Sequence, residues 1–294
     1  DWPVGGVLKL DGLGNEILGA RLLAEPSRKV VVAGEDGRVA LTVGQNRPDA
    51  IASVVAVDIT GDPIVFTAPK IEVRSTRFVD KAVVKITCKS NELQGHYTVD
   101  GSEPTLQSPS FGGPKIIAKS CTVKARSFFE GRPVSATTTL VLEKVAPRRA
   151  LTLVPKEPGL VRERFTGDFQ RMPDFSKLQP TDSDTVDEIH LQSGAREEHV
   201  AYVFRGDLRV PADDVYSFAL LSDDGSRLWV DGNLVVDNDG LHGPVERTGN
   251  DALAAGWHAI RVEWFNLTGG AELALEIQAS AGPARPIAAA DFAH

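Results

Sequence analysis

Apolar residues in this chain recur at every second position in short runs, and nearly every run is cut by glycine, aspartate, asparagine or proline before it reaches helical length. Alternation of period two puts one set of side chains on one face of a strand, and turn residues that tolerate positive φ fold each strand back on its neighbour. The clearest case runs from Leu220 to Gly243. Phe218 and Leu220 alternate with Ser217 and Ala219, and Ser222-Asp223-Asp224-Gly225 then breaks the ladder. Leu228, Trp229 and Val230 resume it, Asp231-Gly232-Asn233 turns, and Leu234-Val235-Val236 returns to a second acidic loop, Asp237-Asn238-Asp239-Gly240. Two acidic loops thus fall on strand ends a hairpin apart. Strands are also expected at Val200 to Phe204, Val215 to Leu221, Ile260 to Phe265 and Leu273 to Ile277, with Trp264 in the core beside Ile260 and Val262. Helical signal is limited to a turn near Asp251 to Ala254, so the fold class is all-β.

The length of 294 residues suits two or three domains. Turn signals at Asp11-Gly12, Gly34 to Gly37 and Arg47-Pro48-Asp49 separate short strands at Val7 to Leu10, Ala20 to Leu23, Val30 to Val32, Val39 to Val43 and Val54 to Ile59. A second set follows, with Val84, Ile86 and Cys88 alternating. The text becomes linker-like between Lys144 and Pro158, where Leu151 to Val154 can still pair as an edge strand. The reading is three β-sandwich domains in series, residues 1–68, 69–146 and 147–294.

Three strings resemble known families. DWPVGGVLKLDGLGNEILGARLLAEPSRKVVV with PDAIASVVAVDITGDP is similar to the C-terminal sandwich of bacterial α-L-fucosidases of glycoside hydrolase family twenty-nine. YTVDGSEPT with TVKARSF resembles the chitobiase/β-hexosaminidase C-terminal domain, an immunoglobulin-like module. SDDGSRLWVDG, LVVDNDGLH and GWHAIRVEWFN resemble the PA14 domain, a lectin-like, jelly-roll-like sandwich of toxins, adhesins and glycosidases. The first resemblance implies a (β/α)-barrel N-terminal to Asp1 that carries the catalytic groups, so this chain is expected to be a non-catalytic accessory region. It also implies export to the periplasm, cell surface or medium. The third implies a calcium ion held by adjacent aspartates, matching Asp223 and Asp224, that contacts hydroxyls of a glycan ligand, fucosylated or otherwise.

The residues allow the same chemistry. Calcium takes several hard oxygens at about 2.3–2.6 Å, and clustered carboxylates repel one another unless a cation lies between them. Asp223, Asp224, Asp237 and Asp239 are the candidate metal ligands. Trp229, Asp223, Asp224, His242 and Asn238 are the candidate carbohydrate-binding residues, Trp229 as a ring for stacking on a pyranose. An unusual peptide geometry between Asp223 and Asp224 would turn both carboxylates to one point. In the competing reading the Asp-Asp-Gly string only ends a strand, its charge solvated, and His242 bonds backbone; the domains are then structural spacers or protein-interaction modules.

Other chemistry finds little support. Adjacent aspartates on one loop suit glycosidic acid and base poorly, since that pair stands about 5 Å apart or more across a pocket. Asp100 and Glu103 read as a turn former and a solvated charge. Walker, HExxH and nucleophile-elbow patterns are absent. A net charge of -8 without a basic cluster argues against nucleic acid, and no apolar run approaches the ~20 residues of a membrane-spanning helix. Cys88 and Cys121 can be a disulfide or two buried thiols.

Overall fold

The computed structural model describes residues 2–35, 38–90, 92–152, 155, 157–191 and 197–294. The protein is all-β: among the described residues the helical elements are short 3-10 turns, and no helix is long and apolar enough to cross a membrane. The turn expected at Asp36-Gly37 and the end of the edge strand expected over Leu151 to Val154 lie outside the described residues. Contacts divide the chain into two compact units, residues 1–76 with 81–143 and residues 77–80 with 144–294. Residues read as the first and second sandwiches therefore share one unit.

In that first unit Val7–Leu10, Arg38–Thr42 and Val31–Glu35 form one antiparallel sheet, and Ile17–Leu22 pairs with Val55–Ile59. Leu22, Leu41 and Val43 are buried there. Further along, Ala82–Thr87 pairs with Lys70–Glu72 and Lys115–Ile117, while Gln94–Thr98 and Thr138–Lys144 flank Cys121–Phe129. Val84, Ile86, Val123, Ala125 and Leu142 are buried, as the period of two requires. Cys88 and Cys121 are free thiols, both pushed up by burial, with Cys88 Sγ 3.1 Å from Ser127 Oγ. Asp100 shapes a turn: its Oδ1 accepts hydrogen bonds from Ser102 N and Oγ, while Glu103 pairs with Lys124 at 2.7 Å.

The second unit is a sandwich of two antiparallel sheets. In one the order is Asp182–Val186, Leu160–Thr166, Val200–Val210, Gly256–Asn266, Ser226–Val230 and Asn233–Asn238; in the other it is Val245–Leu253, Asp214–Asp223, Glu272–Gln278 and Arg285–Pro286. Alternate residues face inward from both, so that Phe204, Leu228, Val262 and Trp264 meet Phe218, Leu220, Leu275 and Ile277 in one core. Each such side chain contributes about 1.5–3 kcal/mol by leaving water.

Val245–Leu253 corrects the helical turn expected near Asp251 to Ala254. Four of its nine residues are exposed and its two buried ones, Ala252 and Leu253, are adjacent, so no alternation marks it in the sequence. Its Gly249 has a packing reason, because a Cβ there would overlap the carbonyl oxygen of Val235. Gly249→Ala is expected to destabilise the unit by about 1–3 kcal/mol, seen as a lower urea midpoint at unchanged slope.

Candidate functional site

The Ser222-Asp223-Asp224-Gly225 link leaves the second sheet at the end of Asp214–Asp223 and enters the first at Ser226–Val230, so it crosses between sheets at one end of the sandwich. Gly225 is needed there: a Cβ would lie 2.5 Å from Phe265 Cε1 and 2.9 Å from Gly240 N. The peptide bond between Asp223 and Asp224 is cis, the kind of unusual geometry that the family resemblance implies. Buried Trp264 donates its indole N–H to Asp223 O at 3.0 Å, and its ring stacks on Tyr202 with centroids 5.7 Å apart.

Asp224 is 7% exposed and joins three loops, its Oδ1 accepting from His242 N and its Oδ2 from Leu267 N, each at 3.0 Å. Asp223 is half-buried beside the same loop: a Cβ built at Gly270 would lie 2.6 Å from its Oδ2. Burial raises the Asp223 carboxyl above the ordinary range; Asp224 and Glu272 push the same way, and His242 opposes them. Asn266, one residue before the Leu267 contact, is fully buried. Its Nδ2 donates to Glu197 O at 2.6 Å, and its Oδ1 finds no hydrogen-bond partner among the described residues.

By type, these donors are those a hard cation takes. Two carboxylates and an orphaned amide oxygen, with no thiol or free imidazole, match the oxygen ligation of calcium better than that of softer metals. The expected set of four aspartates is not assembled. Among the described residues no group of three or more His, Cys, Asp or Glu could hold a metal ion. Asp237 and Asp239 instead bind Arg227, at 3.1 and 3.0 Å, and Asp239 Oδ1 accepts from Met172 N. Arg227 is the cross-strand partner of Asp237 and neutralises the second acidic loop from the side.

The expected sugar contacts are also redistributed. Asn238 is buried, its Nδ2 donating to Ser222 Oγ at 3.0 Å and Val245 O at 2.9 Å, so it clamps loops and does not face solvent. The ring nitrogens of His242 lie 2.8 Å from Gly243 O and 3.0 Å from Asn238 O, leaving its backbone N–H as the contact to the aspartate pair. Trp229 sits on the outer sheet face, held by Glu263 Oε2 at 3.1 Å and covered on one side by the Arg261 guanidinium, 4.7 Å from the ring centroid. It lines two clefts that contain neither Asp223 nor Asp224. Asn266, Leu267 and Gly270 complete the corner in their place; the sequence signal is the polar, glycine-bearing string that ends the Trp264 strand.

The acidic corner, at one end of an antiparallel sandwich, lies in a stretch that is similar to a known domain. Residues 156–291 match the PA14 domain. The matched segment contains both the aspartate pair and Trp229. Residues 73–139 match the chitobiase/beta-hexosaminidase C-terminal domain. A curated relative, a beta-hexosaminidase of Porphyromonas gingivalis, is 26% identical over 196 residues, which is 64% of this chain. The chain spans 25% of that relative's length. Among solved structures, the PA14 sugar-binding domain of an RTX adhesin is 17% identical with a TM-score of 0.42, over 47% of this chain and 99% of that one. The Epithelial Adhesin 6 A domain of Candida glabrata, in complex with Galb1-3GlcNAc, is 11% identical with a TM-score of 0.39, over 48% and 88%. A match to the PA14 domain beside a match to the chitobiase/beta-hexosaminidase C-terminal domain, with the beta-hexosaminidase relative, supports an accessory region of a glycoside hydrolase.

Proposed function

We propose that the PA14 segment is a non-catalytic glycan-binding module whose site is the Asp223-Asp224 corner. The observation that carries this reading is the adjacent pair of carboxylates, one of them raised by burial and by its neighbour, tied through Asp224 to Leu267, the residue that follows the buried Asn266 with its unpartnered Oδ1. Asp223, Asp224 and Asn266 would hold a calcium ion, which would supply positive charge for sugar hydroxyls. Asp224 is kept in place by the His242 and Leu267 N–H groups, and Trp264 fixes the Asp223 carbonyl. A module of this kind raises the local concentration of substrate around an attached catalytic domain. The second reading, a structural or protein-interaction spacer, is favoured by one observation: His242 and Asn238 spend their side chains on the protein's own backbone and loops.

Glycan-array binding with and without chelator separates the two. Chelator-sensitive binding that Asp223→Ala removes supports the sugar site; no binding to any glycan supports the spacer. For the parent protein we propose an exported glycoside hydrolase of α-L-fucosidase type, on the resemblance of the first 66 or so residues; the beta-hexosaminidase relative is the competing class. The full-length protein assayed on aryl fucoside and aryl N-acetylglucosaminide decides between them.

Asp223 also gives a pH prediction. Its folded value lies above the ordinary one, so its stabilising contribution is full below the ordinary carboxylate range and is lost as pH rises through the folded value. In chelator, Asp223→Asn is therefore expected to melt higher than wild type at neutral pH and to show no such gain at acid pH. Calcium should raise the melting temperature of the wild type alone.

A further inference from the structure

On the outer face of the first sheet of the PA14 segment, two clefts of about 350 and 420 Å³ share Arg205, Trp229 and Arg261. Arg205 and Arg261 are direct partners across the pairing of Val200–Val210 with Gly256–Asn266. Like charges placed directly opposite destabilise a sheet, so this pair calls for an explanation. Each guanidinium has a carboxylate at its Nε edge: Arg205 Nε donates to Glu163 Oε2 at 3.0 Å, and Arg261 Nε lies 3.2 Å from Glu263 Oε1 as an ion pair without hydrogen-bond geometry. Beyond those contacts, the terminal nitrogens of both make no hydrogen bond to a described residue, and Arg261 Nε, though buried, finds no hydrogen-bond acceptor.

The surroundings are fixed. The Trp229 indole is held between Glu263 and the Arg261 plane. The facing wall, Met172 to Ser176, is anchored by Phe175 in a small core with Phe165, Val203 and Phe265, and by Met172 N on Asp239. The acidic groups that would repel an anion are each engaged: Glu163 and Glu263 on the two arginines, Asp239 on Arg227, and Asp174 on Ser176 and Lys177.

Two guanidinium forks with free terminal edges, one of them lying on an indole, are suited to a planar carboxylate carried by a ring. The volume suits one or two sugar units. We propose that this cleft binds the carboxylate of a hexuronic acid unit in an acidic polysaccharide, at a site separate from the Asp223-Asp224 corner and independent of any metal. Such a glycan offers the carboxylate to Arg205 and Arg261 and a C–H face to the Trp229 side of the cleft.

The test is calorimetric titration of this chain, in chelator, with D-glucuronate, D-galacturonate and their methyl esters. Binding of an acid, weakened about tenfold or more in its ester and in Arg205→Gln and Arg261→Gln, is the expected result. Binding that persists in chelator separates this site from the metal-dependent corner of the proposed function above. Equal binding of acid and ester, no binding of either acid, or full binding by both arginine variants overturns the proposal. Glutamate oligopeptides or galactose 6-sulfate binding more tightly than the uronates would overturn the sugar-carboxylate assignment. Arg205→Lys, which keeps charge but loses the fork, should recover only part of the affinity; complete recovery would refute fork recognition.

Discussion

Asp224→Ala is expected to lower the stability of the second unit by about 2–4 kcal/mol and to abolish chelator-sensitive glycan binding together with it. The reason lies in what the carboxylate holds. At 7% exposure it accepts the backbone N–H groups of His242 and Leu267, which belong to loops on either side of the aspartate link. Its removal leaves both donors without their acceptor and frees both loops. In a unit of this size each kcal/mol shifts the melting temperature by about 2–4 °C, so thermal unfolding followed by tryptophan fluorescence reads the loss directly. The contrast with Asp223→Asn is the useful part. Both substitutions remove a proposed ligand, but the neighbouring aspartate carries a raised carboxyl and should gain stability without metal. An Asp224→Ala protein that melts with wild type would show that the carboxylate does not organise the corner.

Trp264 should divide into two separable effects. Trp264→Ala removes a fully buried ring stacked on Tyr202, and the expected loss is about 3–5 kcal/mol, enough to leave the unit marginal. Trp264→Phe keeps most of the apolar volume and deletes the indole N–H that Asp223 O accepts. We expect about 1–2 kcal/mol from that change, with glycan affinity falling further than stability because the Asp223 backbone loses its anchor. Comparing array signal with urea midpoint for the two variants checks this. Parallel losses in both quantities for Trp264→Phe would mean that the ring only fills space.

Much of the fold could be read from the sequence because the inner strands are half-buried. Leu228 to Val230, Ile260 to Phe265 and Leu273 to Ile277 alternate because every second residue reaches the core. Asp182–Val186 and Val245–Leu253 could not be read that way, being edge strands, the first turned mostly to water and the second without alternating burial. The site was legible only where its chemistry is local. Asp223 and Asp224 stand out as a pair, whereas the assignment of Asp237 and Asp239 to metal failed on Arg227. That residue lies opposite Asp237 by strand register, and register is a property of pairing that spacing along the chain does not carry. Asn266 acquires meaning for the same reason, through a burial and a missing partner that a strand pattern cannot express.

The polar edge strand Asp182–Val186 has a further consequence. Four of its five residues are exposed, and Asp184 is gripped by Arg162 through two contacts, Nε to Oδ1 at 3.0 Å and Nη2 to Oδ2 at 2.6 Å. A strand from another copy docking along this margin would have to desolvate carboxylates for each ladder bond gained. The margin thus guards against fibrous self-association, so that copies of this chain can crowd together without fusing.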